Sequence, residues 1–149
     1  MGPDIIIENE ILDFAIKIGA ATLSGLVLGL EREYKGKSAG LKTNTLVAIG
    51  SAVFVIISQQ YIDLDGVDIT RVLSHVIVGI GFLGAGVIIQ KKDKVVGLTT
   101  AATVWCSAAV GCLAATGMYP QLAIITILVI LVNLIFGYID VQINGKDNE

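Results

Sequence analysis

The sequence predicts an all-α integral membrane protein with five transmembrane helices. Hydrophobic residues make up 54% of the 149-residue chain and charged residues 15%, with a mean hydropathy of +0.81. A soluble domain of this size carries about 25% charged residues. Five segments approach the roughly 20 apolar residues that a bilayer core demands of a helix. The loops between them alternate in charge sign, as the two faces of a membrane require. Apolar surface on this scale exceeds what one soluble core absorbs, and lipid is where the excess goes.

The predicted spans are 11–30, 43–61, 70–90, 99–116 and 120–139, followed by a tail at 140–149. Gly117 and Pro120 punctuate the short link between the last two. The whole chain, 1–149, reads as a single transmembrane domain with no room for a soluble one. The first residues are acidic, and no basic stretch precedes a short apolar run, so no cleavable leader is expected. Cys106 and Cys112 share one apolar segment at a spacing that suits neither a disulfide nor a zinc site.

Charge sets the expected orientation. Arg32, Lys35, Lys37 and Lys42 follow the first span, and Lys91, Lys92 and Lys94 follow the third. Asp63, Asp65 and Asp68 lie between the second and third, and Asp4, Glu8, Glu10 and Asp13 precede or open the first. Basic loops stay in the cytoplasm. The N-terminus is therefore expected outside and the C-terminus inside. The seven basic loop residues also suit anionic lipid without a specific ligand.

Residues 24–43 align without gaps on 81–100 with seven identities in twenty, at a constant offset of 57. Leu26, Gly29, Lys35, Lys37, Gly40, Leu41 and Thr43 match Leu83, Gly86, Lys92, Lys94, Gly97, Leu98 and Thr100. Helices one–two and three–four would then form a parallel repeat. Recurrent membrane composition is the simpler alternative. Glu31, Arg32 and Asn44 align with Ile88, Ile89 and Ala101, so these polar residues of the first copy call for a reason of their own.

Gly79 to Gly86 contains GxGxxG, the dinucleotide-binding pattern. The run around it is too long and too apolar for a loop that offers N–H groups to phosphate. The glycines at 79, 81, 84 and 86 read instead as a helix-packing face, as do Gly25 and Gly29 of GxxxG and Gly111 in the small-residue fourth span. That fourth span is expected at the centre of the bundle. The bulky fifth is expected at the lipid-facing periphery, or as a dimer face through Asn133.

Gly29-Leu30-Glu31-Arg32-Glu33 and Ala39-Gly40-Leu41-Lys42-Thr43-Asn44-Thr45-Leu46-Val47 resemble the MgtC/SapB family. So do Gly79–Gly86 and Gly97-Leu98-Thr99-Thr100-Ala101-Ala102-Thr103 with Trp105. The resemblance covers roughly residues 10–140. It implies a multi-pass protein of the bacterial inner membrane, tied to magnesium limitation, to survival in phagocytes and, in some members, to restraint of the ATP synthase. It implies a short form, lacking the soluble C-terminal domain that many members add. Family members often carry Gln where His75 stands.

Ionisable residues at a membrane boundary are functional candidates by default. Glu31 and Arg32 at the inner end of helix one head the list; Glu33 reads as solvated. Thr43 and Asn44 open helix two, and Thr99 and Thr100 open helix four, so both free N-termini point to that same side. Thr43 is expected to cap and Asn44 to face inward. The candidate inner site is thus Glu31, Arg32, Thr43, Asn44 and Thr100. Asp13 with Lys17 is expected as an interfacial salt bridge, and Arg71 with His75 as an outer polar pair on one helix face.

Catalysis is not expected: the chain offers no Ser/His/Asp set, no paired carboxylates in a cleft and no phosphate loop. No cofactor and no nucleic-acid partner are indicated, and whether any metal binds is left open. Two function classes stand. One is a regulator that binds another membrane complex, since Ser24, Ser51, Ser107 and Asn133 make a sparse polar path at mid-depth. The other is a small ion or solute transporter with an inner-side polar site. A homodimer through small-residue faces fits either.

Overall fold

The structure, a computed structural model, describes residues 3–92 and 94–144. Helices α1 (Pro3–Tyr34), α2 (Leu41–Gln59) and α3 (Thr70–Val87) are followed by strands β1 (Ile89–Lys91) and β2 (Lys94–Val96), then α4 (Leu98–Ala115) and α5 (Tyr119–Asn144). Five helices are long and apolar enough to cross a membrane.

Four boundaries differ from the prediction by three residues or more, one of them the end of α1, at Tyr34 rather than 30. α1 begins at Pro3, ahead of the expected residue 11. α5 runs on to Asn144 and absorbs the start of the predicted tail. Residues 145–149 of that tail, like the Asp4 side chain, lie outside the described residues. The third span ends at Val87 rather than 90, because Ile88 turns extended with φ −87° and ψ 118°. The chain then forms a small antiparallel hairpin, pairing Ile89 with Val96, Gln90 with Val95 and Lys91 with Lys94. Gly97 closes it at φ 95° and opens α4. A Cβ there would collide with the Val87 carbonyl, so both the left-handed backbone and the close approach demand glycine. Among the described residues the elements are therefore helices apart from this two-stranded sheet.

α4 is central, as expected, and touches all four other helices. Small residues allow this. A Cβ at Gly111 would strike the backbone of Ala48 on α2. A Cβ at Gly25 would lie 2.8 Å from Thr45 Cα and one at Gly29 2.7 Å from Leu41 Cα, so the α1 GxxxG seats α1 directly on α2. Ala21, Leu28, Ala48, Ala52, Val110, Ala114 and Leu122 fill the core between α1, α2, α4 and α5. A second cluster joins Ala39, Val47, Ile80, Val104 and Ala108.

The α3 glycines depart from expectation. Gly84 makes ordinary contact with Ala101 Cβ at 3.6 Å, but a Cβ at Gly79, Gly81 or Gly86 would have no neighbour within 4 Å. No helix of this chain packs on them. The reason is geometric: α3 meets the core through Val76, Ile80 and Val87, with Gly84 on the same side. At 100° per residue the other three glycines are turned away from that side.

Leu41 and Leu98, which align in the internal comparison, are the first residues of α2 and α4. The segments leading into them differ. Gly40 has φ −91° and ends a short turn, whereas Gly97 ends the hairpin.

Candidate functional site

The last turn of α1 presents Glu31 and Arg32, and Lys35 follows one turn after Glu31. All three turn toward α4 and α5 instead of toward water. The Arg32 side chain is 3% exposed and that of Glu31 7%. Charges this deep survive only when paired and hydrogen-bonded. Arg32 Nη2 donates to Thr100 Oγ1 at 2.8 Å, tying α1 to the first turn of α4. Arg32 Nη1 lies 3.9 Å from Glu31 Oε2, an electrostatic contact rather than a hydrogen bond. Lys35 Nζ sits 2.9 Å from Glu31 Oε1, pairing charge without hydrogen-bond alignment. It also donates to the Asn133 carbonyl of α5 at 2.8 Å. Asn133 Nδ2 faces Glu31 Oε2 at 3.4 Å and Thr103 Oγ1 at 3.3 Å.

The result is one carboxylate between two cations of α1, held by hydroxyls of α4 and an amide of α5. Buried Arg32 Nε has no hydrogen-bond partner among the described residues. Gly137 makes room for the ammonium, since a Cβ there would lie 2.9 Å from Lys35 Nζ.

Asn44 lies one layer deeper, with 0% exposure. Its Nδ2 donates to the carbonyls of Ala39 and Gly40, both at 2.8 Å. Its Oδ1 accepts from Ser107 Oγ at 2.8 Å. The amide is thus used up in pinning the α1–α2 turn and joining α2 to α4.

Of the predicted inner site, Arg32 and Thr100 touch, Glu31 lies beside them, and Asn44 is buried nearby. Thr43 is not part of it. That residue is exposed and caps nothing, because α2 starts two residues earlier at Leu41. Glu33 takes the capping role instead: its Oε2 accepts from Leu41 N at 3.0 Å. Glu33 is exposed, but it is engaged. Asn133 does not face lipid or a dimer partner; it is buried in the cluster. The expected Asp13–Lys17 salt bridge is present at 2.6 Å. Arg71 and His75 are both exposed, and no hydrogen bond or ion pair joins them among the described residues. His75 borders a cleft between α2 and α3.

Lys35, Thr103 and Asn133 were not singled out as site residues by sequence reasoning. Signals existed for each. Lys35 is four residues after Glu31. Thr103 is one turn after Thr100. An amide in a bulky apolar helix needs a protein partner. Among the described residues no group of three or more His, Cys, Asp or Glu side chains could hold a metal ion. Cys106 and Cys112 are free.

At the level of sequence, similarity to known proteins is extensive. Protein MgtC of Brucella abortus (strain 2308) is 49% identical over 115 residues, 77% of this chain and 47% of the relative. Protein MgtC of Salmonella typhimurium is 39% identical over 132 residues, 88% of this chain and 55% of the relative. The Escherichia coli (strain K12) protein named "Putative magnesium transporter YhiD" is 36% identical over 141 residues, 91% of this chain and 66% of the relative. The chain spans about half the length of the Brucella relatives. No solved structure matches it. The MgtC family model covers residues 18–141, which take in α2, α3 and α4 whole, the second half of α1, most of α5 and every residue of the polar cluster. With the glycine seams and the Glu31–Arg32–Asn44 positions inside that match, the chain belongs to the MgtC family.

Proposed function

We propose that this protein is a regulatory or stress-adaptation factor of the bacterial inner membrane, working under magnesium limitation through contact with another membrane complex. It is neither an enzyme nor a magnesium carrier in its own right. The supporting observation is the composition of the buried cluster: one carboxylate against Arg32 and Lys35. A divalent cation is held by several oxygen ligands, usually carboxylates, and here the two cations repel it. Asn44, Ser107 and Thr103 spend their polar groups on one another and on the backbone, which supports a helix clamp more than a path. An N-out, C-in orientation, an α1–α2/α3–α4 repeat and a homodimer belong to the same reading. The ATP synthase is one partner that the family resemblance implies.

Proteoliposomes loaded with a magnesium-sensitive dye test it. No magnesium entry above empty vesicles is expected, while the tagged chain retains a membrane complex on gentle solubilisation. Protein-dependent magnesium flux, abolished by Arg32→Ala, would replace this reading with the transporter one. That alternative draws on the name of the YhiD relative and on the unpartnered Arg32 Nε at the inner end.

A further inference from the structure

The hairpin that links α3 to α4 carries its apolar residues at the stem and its charge at the tip. Ile88, Ile89, Val95 and Val96 form the stem and are all exposed, Ile89 and Val95 by half. Lys91 pairs with Lys94 at the far end, and Lys92 stands in the turn. Ile89 and Val96 lie on one face and Val95 on the other, so aliphatic side chains point to both sides. A docked protein covers one face of a hairpin, whereas a lipid boundary surrounds both.

α5 serves as a depth gauge, because Asn133 sets it beside Thr103 of α4 at 3.3 Å. From Thr103 to the start of α4 at Leu98 is about 8 Å along the helix axis. From Asn133 to Asp140, where the apolar span of α5 ends, is about 10 Å. The stem therefore starts about 3 Å inside the hydrocarbon boundary. A three-residue strand reaches about 10 Å, so the lysines fall no further than about 7 Å beyond that boundary. The headgroup zone on each side is about 5–8 Å thick. The stem thus lies among acyl chains and the tip among phosphates.

The tip carries more charge than a turn requires. Lys92 takes φ 49°, the left-handed region that an L side chain enters at a cost of about 1–2 kcal/mol. A hairpin turn gives such a position to Asn or Gly by preference. Strain of this kind marks a side chain kept for its own chemistry. Lys91, Lys92 and Lys94 form no ion pair among the described residues. In sequence they stand against one acid, Asp93, which lies outside the described residues. The excess ammonium groups call for anions, and phosphates lie at their depth.

We propose that the β1–β2 hairpin anchors on an anionic lipid surface, with Ile89, Val95 and Val96 immersed at the acyl boundary and Lys91, Lys92 and Lys94 binding headgroup phosphates.

The test puts a fluorescent reporter in the hairpin of the full chain. Val95→Trp is combined with Trp105→Phe, which removes the one native tryptophan, in vesicles of mixed phosphatidylglycerol and phosphatidylcholine. Gln90→Trp, directly across the ladder, is the second reporter if the first fails to fold. Each lipid carries bromine in turn. The tryptophan should be shielded from acrylamide and quenched by brominated lipid, by the glycerol form beyond its share of the bilayer. Lys91→Gln with Lys94→Gln should lower that local excess by up to about fivefold per ammonium, the factor given by about 1 kcal/mol per basic residue at a membrane surface. Lys37→Gln with Lys42→Gln removes equal charge from the other basic loop and should leave it unchanged. An excess that neither pair moves, or that both lower equally, overturns the proposal. So does quenching by acrylamide without quenching by bromine, which puts the hairpin in water. Shielding from both quenchers overturns it too, and assigns the hairpin to a protein contact.

Discussion

Replacing Gly111 with alanine places a methyl group on the backbone of α2. The new Cβ would overlap the Ala48 carbonyl oxygen and lie 3.0 Å from its carbon and 3.1 Å from its Cα. None of these atoms is the free end of a side chain, so α2 and α4 must separate. Overpacking of this kind costs about 1–3 kcal/mol. Relief of the helical glycine returns about 0.5–1 kcal/mol. Separation also stretches the Ser107–Asn44 bond, 2.8 Å long and one turn away on α4. Such bonds average about 0.6 kcal/mol within membranes. The net loss is about 1–3 kcal/mol. At about 2–4 °C per kcal/mol for a chain of this size, a circular-dichroism melt in detergent should fall by several degrees. Gly79→Ala is the control. Its Cβ meets nothing, so it should be neutral or slightly stabilising. Equal melting temperatures for the two alanine variants would show that α2 and α4 do not meet at Gly111.

Two further outcomes follow from the charged groups. Glu31→Gln leaves Arg32 and Lys35 without their carboxylate and should cost about 3 kcal/mol, toward the low end for breaking a buried pair because Lys35 is partly exposed; adding Lys35→Met should recover part of the loss in the same melt. At the other end of the bundle, the Thr70 hydroxyl and amide, with Arg71 nearby, hold the Asp68 carboxyl below the usual carboxylate range. A depressed folded-state pKa stabilises above the unfolded value and is lost as pH falls through the folded one. The first turn of α3 should therefore keep its amide-exchange protection at neutral pH and lose it below about pH 4, and Asp68→Asn should remove that dependence.

What the sequence disclosed depended on the range of the interaction. The five spans follow from hydrophobic length alone, and the GxxxG of α1 from a local pattern that any partner helix would satisfy. Glu31 and Arg32 stood out because charges are costly at a boundary, and Thr100 because it begins a helix. Asn133 was noticed but placed facing outward, because its partners Glu31 and Thr103 lie 102 and 30 residues away and no local rule brings them together. The hairpin was missed because Ile88 and Ile89 extend an apolar run that reads as helix. Only the left-handed Gly97, fitted against Val87, ends it. The α3 glycines misled for the opposite reason. Their spacing matches a packing motif, but the motif does not say which face the bulky Val76 and Ile80 will commit to the core.

Gly137 ends up with a part in the fold larger than its size. α5 carries most of its surface outward, with few groups that fix its angle or height. At one point an ammonium from α1 passes the bare backbone of Gly137 and reaches the Asn133 carbonyl. The notch serves Lys35 best in alignment. A rotation of α5 by one residue turns it by about 100°, and a slip of one turn carries it about 5.4 Å away. Lys35 and Gly137 thus act as key and keyway, giving a peripheral helix one preferred depth and bearing.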